Sequence, residues 1–154
     1  MKLHAGDTAP DFSLPDQSGR PVTLSGLLSD GPVVVFFYPR AMTPGCTAES
    51  CHFRDLRGEL DALGARAVGI SADSVDRQST FDERNSLGLL LLSDVDRAVA
   101  ARFGVKRPGP LFNRRATFVI DADRRVLAAF SSELNMQTHA DRALQVLTEH
   151  AANT

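Results

Sequence analysis

The sequence predicts an α/β protein in which helices flank a mixed central β-sheet. Apolar runs at residues 33–38, 67–71 and 89–92 have the length and continuity of buried strands, and helical periodicity separates them. The pattern that follows predicts two strands joined by a polar turn, at residues 117–120 and 126–130. Alternating strands and helices favour parallel pairing, whereas a closing hairpin is antiparallel, so the sheet is expected to be mixed.

The remaining elements are assigned from turn and helix-end signals. Residues 12–14 and 22–24 flank a turn, which indicates a short hairpin, and Ser25 is the expected N-cap of one helical turn ending at Leu28. Four longer helices follow, each with a polar cap or a closing glycine: from about Cys46 to Leu63 with Gly64, from Ser74 toward Asn85, from Asp94 or Asp96 to Phe103 with Gly104, and a last helix capped by Thr138.

The bulk composition describes an ordinary globular chain. Its 154 residues fit one domain over residues 1–154, and 43% hydrophobic residues can form a core. A net charge of −2 argues against nucleic acid and anionic membranes as partners. The N-terminus lacks the apolar region of a signal peptide, and no apolar run approaches the ~20 residues of a membrane span. We therefore expect a cytoplasmic protein, in which a permanent disulfide is unusual.

Both cysteines lie in one stretch, residues 39–51, with the sequence PRAMTPGCTAESC. Cys46 stands where a buried strand passes into a helix. The first N–H groups of a helix have no internal partner and its dipole favours negative charge, so this position favours a thiolate. A cysteine can also serve simply as a small buried apolar residue, and the sequence context alone leaves that alternative open.

The pattern Pro39-x-x-x-Thr43-x-x-Cys46 resembles the peroxidatic-cysteine motif of the peroxiredoxins. Cys51, with four residues between the two cysteines, resembles the Q-type branch, also called the bacterioferritin comigratory protein group. The resemblance runs roughly from Gly6 to Leu147, and its other matching pieces are residues 9–12, 37–39, 92–94 and 115–121.

This resemblance implies a thioredoxin-like fold with an N-terminal extension. It implies a peroxidase that reduces hydrogen peroxide and organic hydroperoxides through the Cys46 thiolate, a sulfenic acid and an intramolecular Cys46–Cys51 disulfide. Thioredoxin or a similar dithiol protein would then recycle the enzyme, and no cofactor or metal is implied. Because no cysteine follows Cys51 and the C-terminal region has no exchangeable arm, a monomer is expected.

Helix geometry constrains the role of Cys51. Five residues along a helix correspond to about 140° of rotation and ~7.5 Å of rise, whereas a disulfide needs Cβ atoms about 3.8 Å apart. Either Cys51 is unrelated to Cys46, or the first turns of the helix must open. The resemblance implies the second alternative, with Cys51 resolving the sulfenic acid.

Three further residues carry expected roles. Thr43 is either a plain helix cap or, by resemblance, also a group that holds the peroxide. Pro39 ends the strand and, by resemblance, shields the thiol from water. Arg115, in the sequence Arg-x-Thr-Phe-Val-Ile-Asp, would stabilise the thiolate and the leaving oxygen, although the adjacent Arg114 is an alternative.

Other charged and metal-binding side chains in the sequence allow further interpretations. Glu49 either orients an arginine or only suits the start of a helix. A zinc site would need ligands such as Cys46, Cys51, His52 and His139, but their spacing matches no common pattern. The four histidines, His4, His52, His139 and His150, lack a nucleophile context and are expected at the surface.

The basic residues around 102–115 are interrupted by apolar residues and prolines, and no glycine-rich phosphate motif is present. This argues against binding of nucleic acid or a nucleotide cofactor. Two alternative functions remain: a general thiol–disulfide oxidoreductase, against which the lack of Cys-x-x-Cys counts, and a non-enzymatic redox sensor.

Overall fold

The structure, a computed structural model, describes residues 3–109, 112–133 and 135–153. Its elements in chain order are β1 (Ser13–Pro15), β2 (Pro21–Thr23), α1 (Leu24–Leu28), β3 (Val33–Phe37), α2 (Pro44–Asp55), α3 (Arg57–Ala62), β4 (Arg66–Ser71), α4 (Val75–Asn85), β5 (Leu90–Ser93), α5 (Ala98–Phe103), β6 (Ala116–Ile120), β7 (Val126–Ser131) and α6 (Met136–Ala152).

The five-stranded sheet has the order β5-β4-β3-β6-β7. The central strand β3 pairs parallel with β4 and antiparallel with β6. All five residues of β3 and all five of β6 are buried, as expected for strands covered on both faces. The prediction of a mixed sheet flanked by helices is confirmed.

Alternate side chains of β3 enter two different cores. Val33, Val35 and Phe37 pack with apolar residues of α1 and α5 on one face of the sheet. Val34 and Phe36 pack on the other face with residues of α2, α3, α4 and α6, and this second core includes Cys46. The rings of Phe36 and Phe53 stack with centroids 4.2 Å apart, which fixes α2 against the sheet.

The N-terminal extension is a hairpin with one short helix. The β1–β2 hairpin is confirmed, but Thr23, not Ser25, is the N-cap of α1, and its hydroxyl accepts a hydrogen bond from the backbone N–H of Gly26 at 3.0 Å. The side chain of Gln17 donates to the carbonyl of Leu89 at 2.7 Å and accepts from the N–H of Leu91 at 3.0 Å, so it joins the extension to β5.

The helix expected over residues 46–63 is two helices. It begins earlier, at Pro44, because proline suits the first helical position, where its missing N–H costs nothing. The backbone of Leu56, with φ −90° and ψ 6°, ends α2, and α3 follows it directly and buries Leu60. Gly64, with φ +70°, follows α3 as expected.

Two other helix starts also differ from expectation, whereas Ser74 does cap α4. Helix α5 begins at Ala98 instead of at Asp94 or Asp96, because both carboxylates accept hydrogen bonds from N–H groups of its first turn. Helix α6 begins at Met136, where Asn135 is the cap and accepts from the N–H of Thr138 at 3.3 Å.

In the part of the chain that the structure describes, no helix is long and apolar enough to cross a lipid bilayer.

Candidate active site

Cys46 lies in the first turn of α2, two residues after Pro44, and is fully buried. Hydrogen bonds to Asp73 anchor the loop that leads into this turn. The backbone N–H of Ala41 donates to Oδ2 of Asp73 at 2.7 Å, and Arg77 contacts the other carboxylate oxygen at 2.9 Å. Because Met42 has a φ of +66°, this anchored turn also bends sharply just before the helix. The position of the cysteine is therefore set by both the helix and the loop.

Arg115, the residue just before β6, places its guanidinium against Cys46. Its Nη2 lies 3.2 Å from Sγ of Cys46, and the side chain is only 6% exposed. A side chain at Gly45 would meet Nη2 at 3.3 Å, so a glycine before the cysteine leaves room for this approach. Arg114 is exposed, and the structure therefore favours the assignment of Arg115 over its neighbour.

Glu49 completes a buried row of charged groups. Its Oε1 accepts a hydrogen bond from Nη1 of Arg115 at 2.8 Å, and the carboxyl group is fully buried. Burial raises the pKa of Glu49 to about 7, although the charge of Arg115 opposes this shift. Of the two roles considered for Glu49, contact with an arginine is the one observed. The guanidinium thus lies between a sulfur atom and a carboxyl group.

Thr43 stands at the N-cap position of α2 but does not cap it with its side chain. Its hydroxyl donates to the carbonyl of Arg40 at 2.9 Å, so the expectation of a plain side-chain cap is wrong. The hydroxyl oxygen keeps lone pairs for another donor. Pro39 is partly buried and follows the end of β3, as expected for a residue that cannot donate to a strand ladder.

Cys51 is partly buried and lies in the same helix as Cys46, and both thiols are free. The expected offset of about 140° and ~7.5 Å therefore holds in this structure. A bond between the two sulfurs would require α2 to lose its first turns.

Sequence reasoning misplaced one residue of this region. His139 is fully buried in α6 and is not a surface residue. Its Nδ1 is 2.7 Å from the hydroxyl of Thr117, and its Nε2 is 2.9 Å from the carbonyl oxygen of Ser132. Nδ1 also lies 3.6 Å from Oε2 of Glu49. A signal was present, because His139 is four residues before Ala143 and so shares the apolar face of its helix.

Two polar groups beneath the loop were also missed. Asp73 anchors Ala41, and Gln78 binds both the hydroxyl of Tyr38 and the carbonyl of Leu92. Neither contact is visible in a local motif, because Ala41 and Tyr38 precede Asp73 and Gln78 by 32 and 40 residues. The other histidines are at least partly exposed, and His52 contacts Asp141 at 2.7 Å.

Within residues 3–109, 112–133 and 135–153, no three His, Cys, Asp or Glu side chains converge as metal ligands.

This arrangement suits a sulfur nucleophile. A permanent cation at hydrogen-bond distance and a helix N-terminus both favour the thiolate of Cys46. The same guanidinium can stabilise negative charge that develops on an oxygen leaving the sulfur. The structure therefore supports chemistry in which a thiolate attacks an electrophile and a neighbouring oxygen departs.

Proteins with similar sequences support this interpretation of the site. The model of the AhpC/TSA family matches residues 5–129. A putative peroxiredoxin from Mycobacterium tuberculosis is 57% identical over 148 residues, which cover 94% of this chain and 96% of that protein. Peroxiredoxin Bcp from Escherichia coli K12 is 41% identical over 155 aligned positions, which cover 97% of this chain and 98% of that protein.

Solved structures give the same result. The crystal structure of peroxidoxin BcpB from Mycobacterium tuberculosis superposes with a TM-score of 0.93 and 55% identity, over 96% of this chain and 97% of that one. The bacterioferritin comigratory protein of Xanthomonas campestris, studied for its alkyl peroxide reduction activity, gives a TM-score of 0.84 and 31% identity over 91% and 92% of the two chains.

Fold, cysteine environment and relatives point to one class, the thiol-dependent peroxidases built on a thioredoxin-like fold. The chain belongs to the AhpC/TSA family and, within it, to the peroxiredoxins related to Bcp and peroxiredoxin Q. The family, fold and enzyme class expected from the resemblance between Gly6 and Leu147 are thereby confirmed.

Proposed function

We propose that this enzyme reduces hydrogen peroxide and organic hydroperoxides with Cys46 as the nucleophile, Cys51 as the resolving thiol and a thioredoxin-like dithiol protein as the reductant. The observation that carries the proposal is the 3.2 Å contact between Nη2 of Arg115 and Sγ of Cys46 in a buried site. The alkyl peroxide activity of the Xanthomonas campestris relative supports organic hydroperoxides as substrates.

In the first step, the Cys46 thiolate attacks the terminal oxygen of the peroxide. An S–O bond forms and the O–O bond breaks, so the sulfur is oxidised to a sulfenic acid. The other oxygen leaves with the electron pair and takes up a proton to give water or an alcohol. Arg115 stabilises the thiolate and the leaving oxygen, and the Thr43 hydroxyl holds the peroxide while Pro39 shields the sulfur from water.

In the second step, the Cys51 thiolate attacks the sulfenic sulfur of Cys46. An S–S bond forms, the S–O bond breaks, and the departing hydroxide takes up a proton to leave as water. Because both cysteines lie in the intact helix α2, this step requires the segment from Cys46 to Cys51 to unwind. Thr47 and Ser50 in this segment, and His52 just after it, are mediocre helix formers. Two thiols of the reductant then restore both cysteines by thiol–disulfide exchange.

The proposal includes a monomeric enzyme in the cytoplasm. Support comes from the sequence, which offers no third cysteine for a bridge to a partner chain. Sedimentation of the reduced and oxidised protein checks the oligomeric state, and a stable dimer in either state would contradict it.

Stopped-flow mixing of the reduced protein with hydrogen peroxide tests the activity. We expect fast oxidation with one peroxide consumed per chain in wild type, and no consumption by Cys46→Ser with an unchanged fold by circular dichroism. Turnover in Cys46→Ser above a few per cent of wild type would move the nucleophile to Cys51. Reduction of insulin disulfides without peroxide consumption would favour a thiol–disulfide oxidoreductase instead.

A further inference from the structure

His139 lies directly behind the Arg115–Glu49 pair and has no task in the mechanism above. It is fully buried, and its ring contacts groups from three different segments. Thr117 of β6 and Glu49 of α2 face Nδ1 at 2.7 and 3.6 Å, and the carbonyl oxygen of Ser132 faces Nε2 at 2.9 Å. A buried histidine in contact with a buried carboxyl group calls for a physical account.

The carbonyl of Ser132 fixes the tautomer of the ring. A carbonyl oxygen can only accept, so Nε2 carries the hydrogen. Burial and the charge of Arg115 lower the pKa of His139, although the Ser132 hydrogen bond and Glu133 oppose this shift. The neutral ring therefore presents a lone pair at Nδ1, to which the hydroxyl of Thr117 donates.

Glu49 faces that lone pair with its second oxygen. Oε1 accepts from Arg115, whereas Oε2 is buried and has no hydrogen-bond partner among the described residues. An ionised Oε2 would point its own lone pairs at the lone pair of Nδ1. A protonated Oε2 would instead donate toward Nδ1 after a small closure of the 3.6 Å gap.

We propose that His139 is a positioning residue that keeps a proton on Oε2 of Glu49, so that the positive charge of Arg115 remains available to the sulfur of Cys46. With Glu49 neutral, the buried row contains one cation and one thiolate. With Glu49 ionised, a second anion competes for the same guanidinium and repels the thiolate. The pKa of about 7 for Glu49 agrees with this arrangement.

The other charged groups near His139 are paired or shared with solvent. Glu133, before α6, accepts from the backbone N–H of Arg115 at 2.9 Å and from Arg107 at 3.2 Å, and its side chain is 44% exposed. Arg142 lies over the ring of Phe130, which packs beside His139. Glu49 is thus the carboxyl group whose protonation the imidazole of His139 can affect by direct contact.

The inference rests on the role proposed for Cys46, but its test needs no peroxide. The pH titration of thiolate absorbance in the ultraviolet, recorded in a Cys51→Ser background, reports the Cys46 thiolate alone. A protein that fails to consume peroxide would overturn the proposed function and leave this titration interpretable.

Two substitutions are expected to move the thiolate midpoint in opposite directions. His139→Asn offers Oε2 an N–H donor in place of a lone pair, so Glu49 should ionise more easily and the midpoint should rise by about one pH unit. Thr117→Val removes the hydroxyl that competes for Nδ1, so the proton should be held more firmly and the midpoint should fall. His150→Gln, at a partly exposed histidine of the same helix, is the control and should leave it unchanged.

Glu49→Gln separates this role from a structural one. Glutamine mimics the protonated carboxyl group, since it accepts from Arg115 and donates toward His139. In that background, His139→Asn should change the midpoint by less than a few tenths of a pH unit. An equal shift with and without Glu49→Gln, or no shift in either background, would overturn the proposal.

The wild-type protein supplies a measurement that does not depend on the folding of any variant. Carbon-13 NMR of labelled glutamate side chains follows the protonation of the Glu49 carboxyl group directly, with Glu49→Gln assigning the signal. We expect this group to be protonated at pH 6 in the reduced protein. An ionised Glu49 at that pH would overturn the proposal.

Discussion

Arg115 donates hydrogen bonds to two acceptors that compete for its charge, the sulfur of Cys46 at 3.2 Å and the carboxyl group of Glu49 at 2.8 Å. A guanidinium offers five N–H donors in a rigid plane, so one arginine can serve both at once. Its rigidity is increased by the hydrogen bond from its own backbone N–H to Glu133 at 2.9 Å. The donor is therefore held in place before any substrate arrives.

Arg115→Ala should slow the oxidation of Cys46 by roughly 10²–10³-fold, because a single preorganised donor or charge is worth about that much in rate. Stopped-flow oxidation by hydrogen peroxide measures the loss. Arg114→Ala is the matched control, since that side chain is exposed and its loss should leave the rate unchanged. If Arg114→Ala were the damaging change, the assignment of the active-site arginine would be wrong.

Among individual residues, the sequence predicted the functional ones that lie in a short recognisable motif. The stretch around Cys46 and the motif at Arg115 were found because each lies in a recognisable run of residues. Asp73 and His139 were not found, because their importance arises only when distant segments meet. The burial of His139, for example, depends on the packing of α6 against β6.

The helix α2 has two ends with different anchors. Its C-terminal half is held by the stack of Phe53 on Phe36, with centroids 4.2 Å apart and planes at 10°. The part of the helix before Phe53 contains both Cys46 and Cys51 and has the weaker helix formers. Local opening of such a segment costs much less than global unfolding, so we expect the helix to unwind up to Phe53 and no further.

Oxidation should therefore remove the protection of amide hydrogens from Thr47 to Asp55, whose carbonyl partners lie between Thr43 and Cys51, while the amides from Leu56 onward remain protected. Hydrogen exchange with mass spectrometry of reduced and oxidised protein measures this, and peptide mapping should find the Cys46–Cys51 bridge within one chain. Cys51→Ser should react once, stall as the sulfenic acid and overoxidise at high peroxide. An intermolecular disulfide, or a stable sulfenic acid beside a free Cys51 in wild type, would contradict this mechanism.

The loop before α2 has its own anchor in Asp73, which accepts from Ala41 at 2.7 Å and from the hydroxyl of Ser71 at 2.7 Å. Asp73→Ala should release this loop, displace Thr43 and slow peroxide oxidation by about 10-fold or more, since small misplacements of reacting groups are costly. The rate constant for oxidation measures the effect. Asp76→Ala, at an exposed position on α4, is the control and should behave as wild type.

Helices and strands were predicted well in kind and less well at their ends. Strong apolar runs identify β3, β4 and β5, because burial on both faces leaves a clear signal. The break at Leu56 was not predicted, and no side chain caps α3 there. The starts of α1, α5 and α6 were misplaced, since several polar residues near each start compete for the same unpaired N–H groups.

At the scale of the whole molecule, the active site lies where three elements meet on one face of the sheet. Cys46 and Glu49 come from α2, Arg115 from the entry to β6, and His139 from α6. The order of the strands places these elements together, although Cys46 and Arg115 are 69 residues apart in sequence. The sequence predicted the strands but not this order, which depends on pairing between distant segments.

Placing a carboxyl group in this core costs stability, and the cost depends on pH. The pKa of Glu49 is about 7 in the folded protein against an ordinary value of 4.5, because burial disfavours its charge. Between these two values the folded state binds more protons than the unfolded chain. The contribution of Glu49 to the free energy of unfolding is therefore fully present below pH 4.5 and is lost as the pH rises through about 7. At about 1.4 kcal/mol per pKa unit, the loss is on the order of 3 kcal/mol.

Glu49→Gln should remove this dependence, because glutamine keeps the contact with Arg115 and never ionises. Urea unfolding at pH 4 and at pH 8 measures the free energy of unfolding of wild type and variant. The difference in favour of the variant should grow with pH by roughly 2–3 kcal/mol. Glu59→Gln, at an exposed position, is the control and should show no such growth. A constant difference between Glu49→Gln and wild type would mean that folding does not raise the pKa of Glu49, and the account of a protonated buried carboxyl group would be wrong.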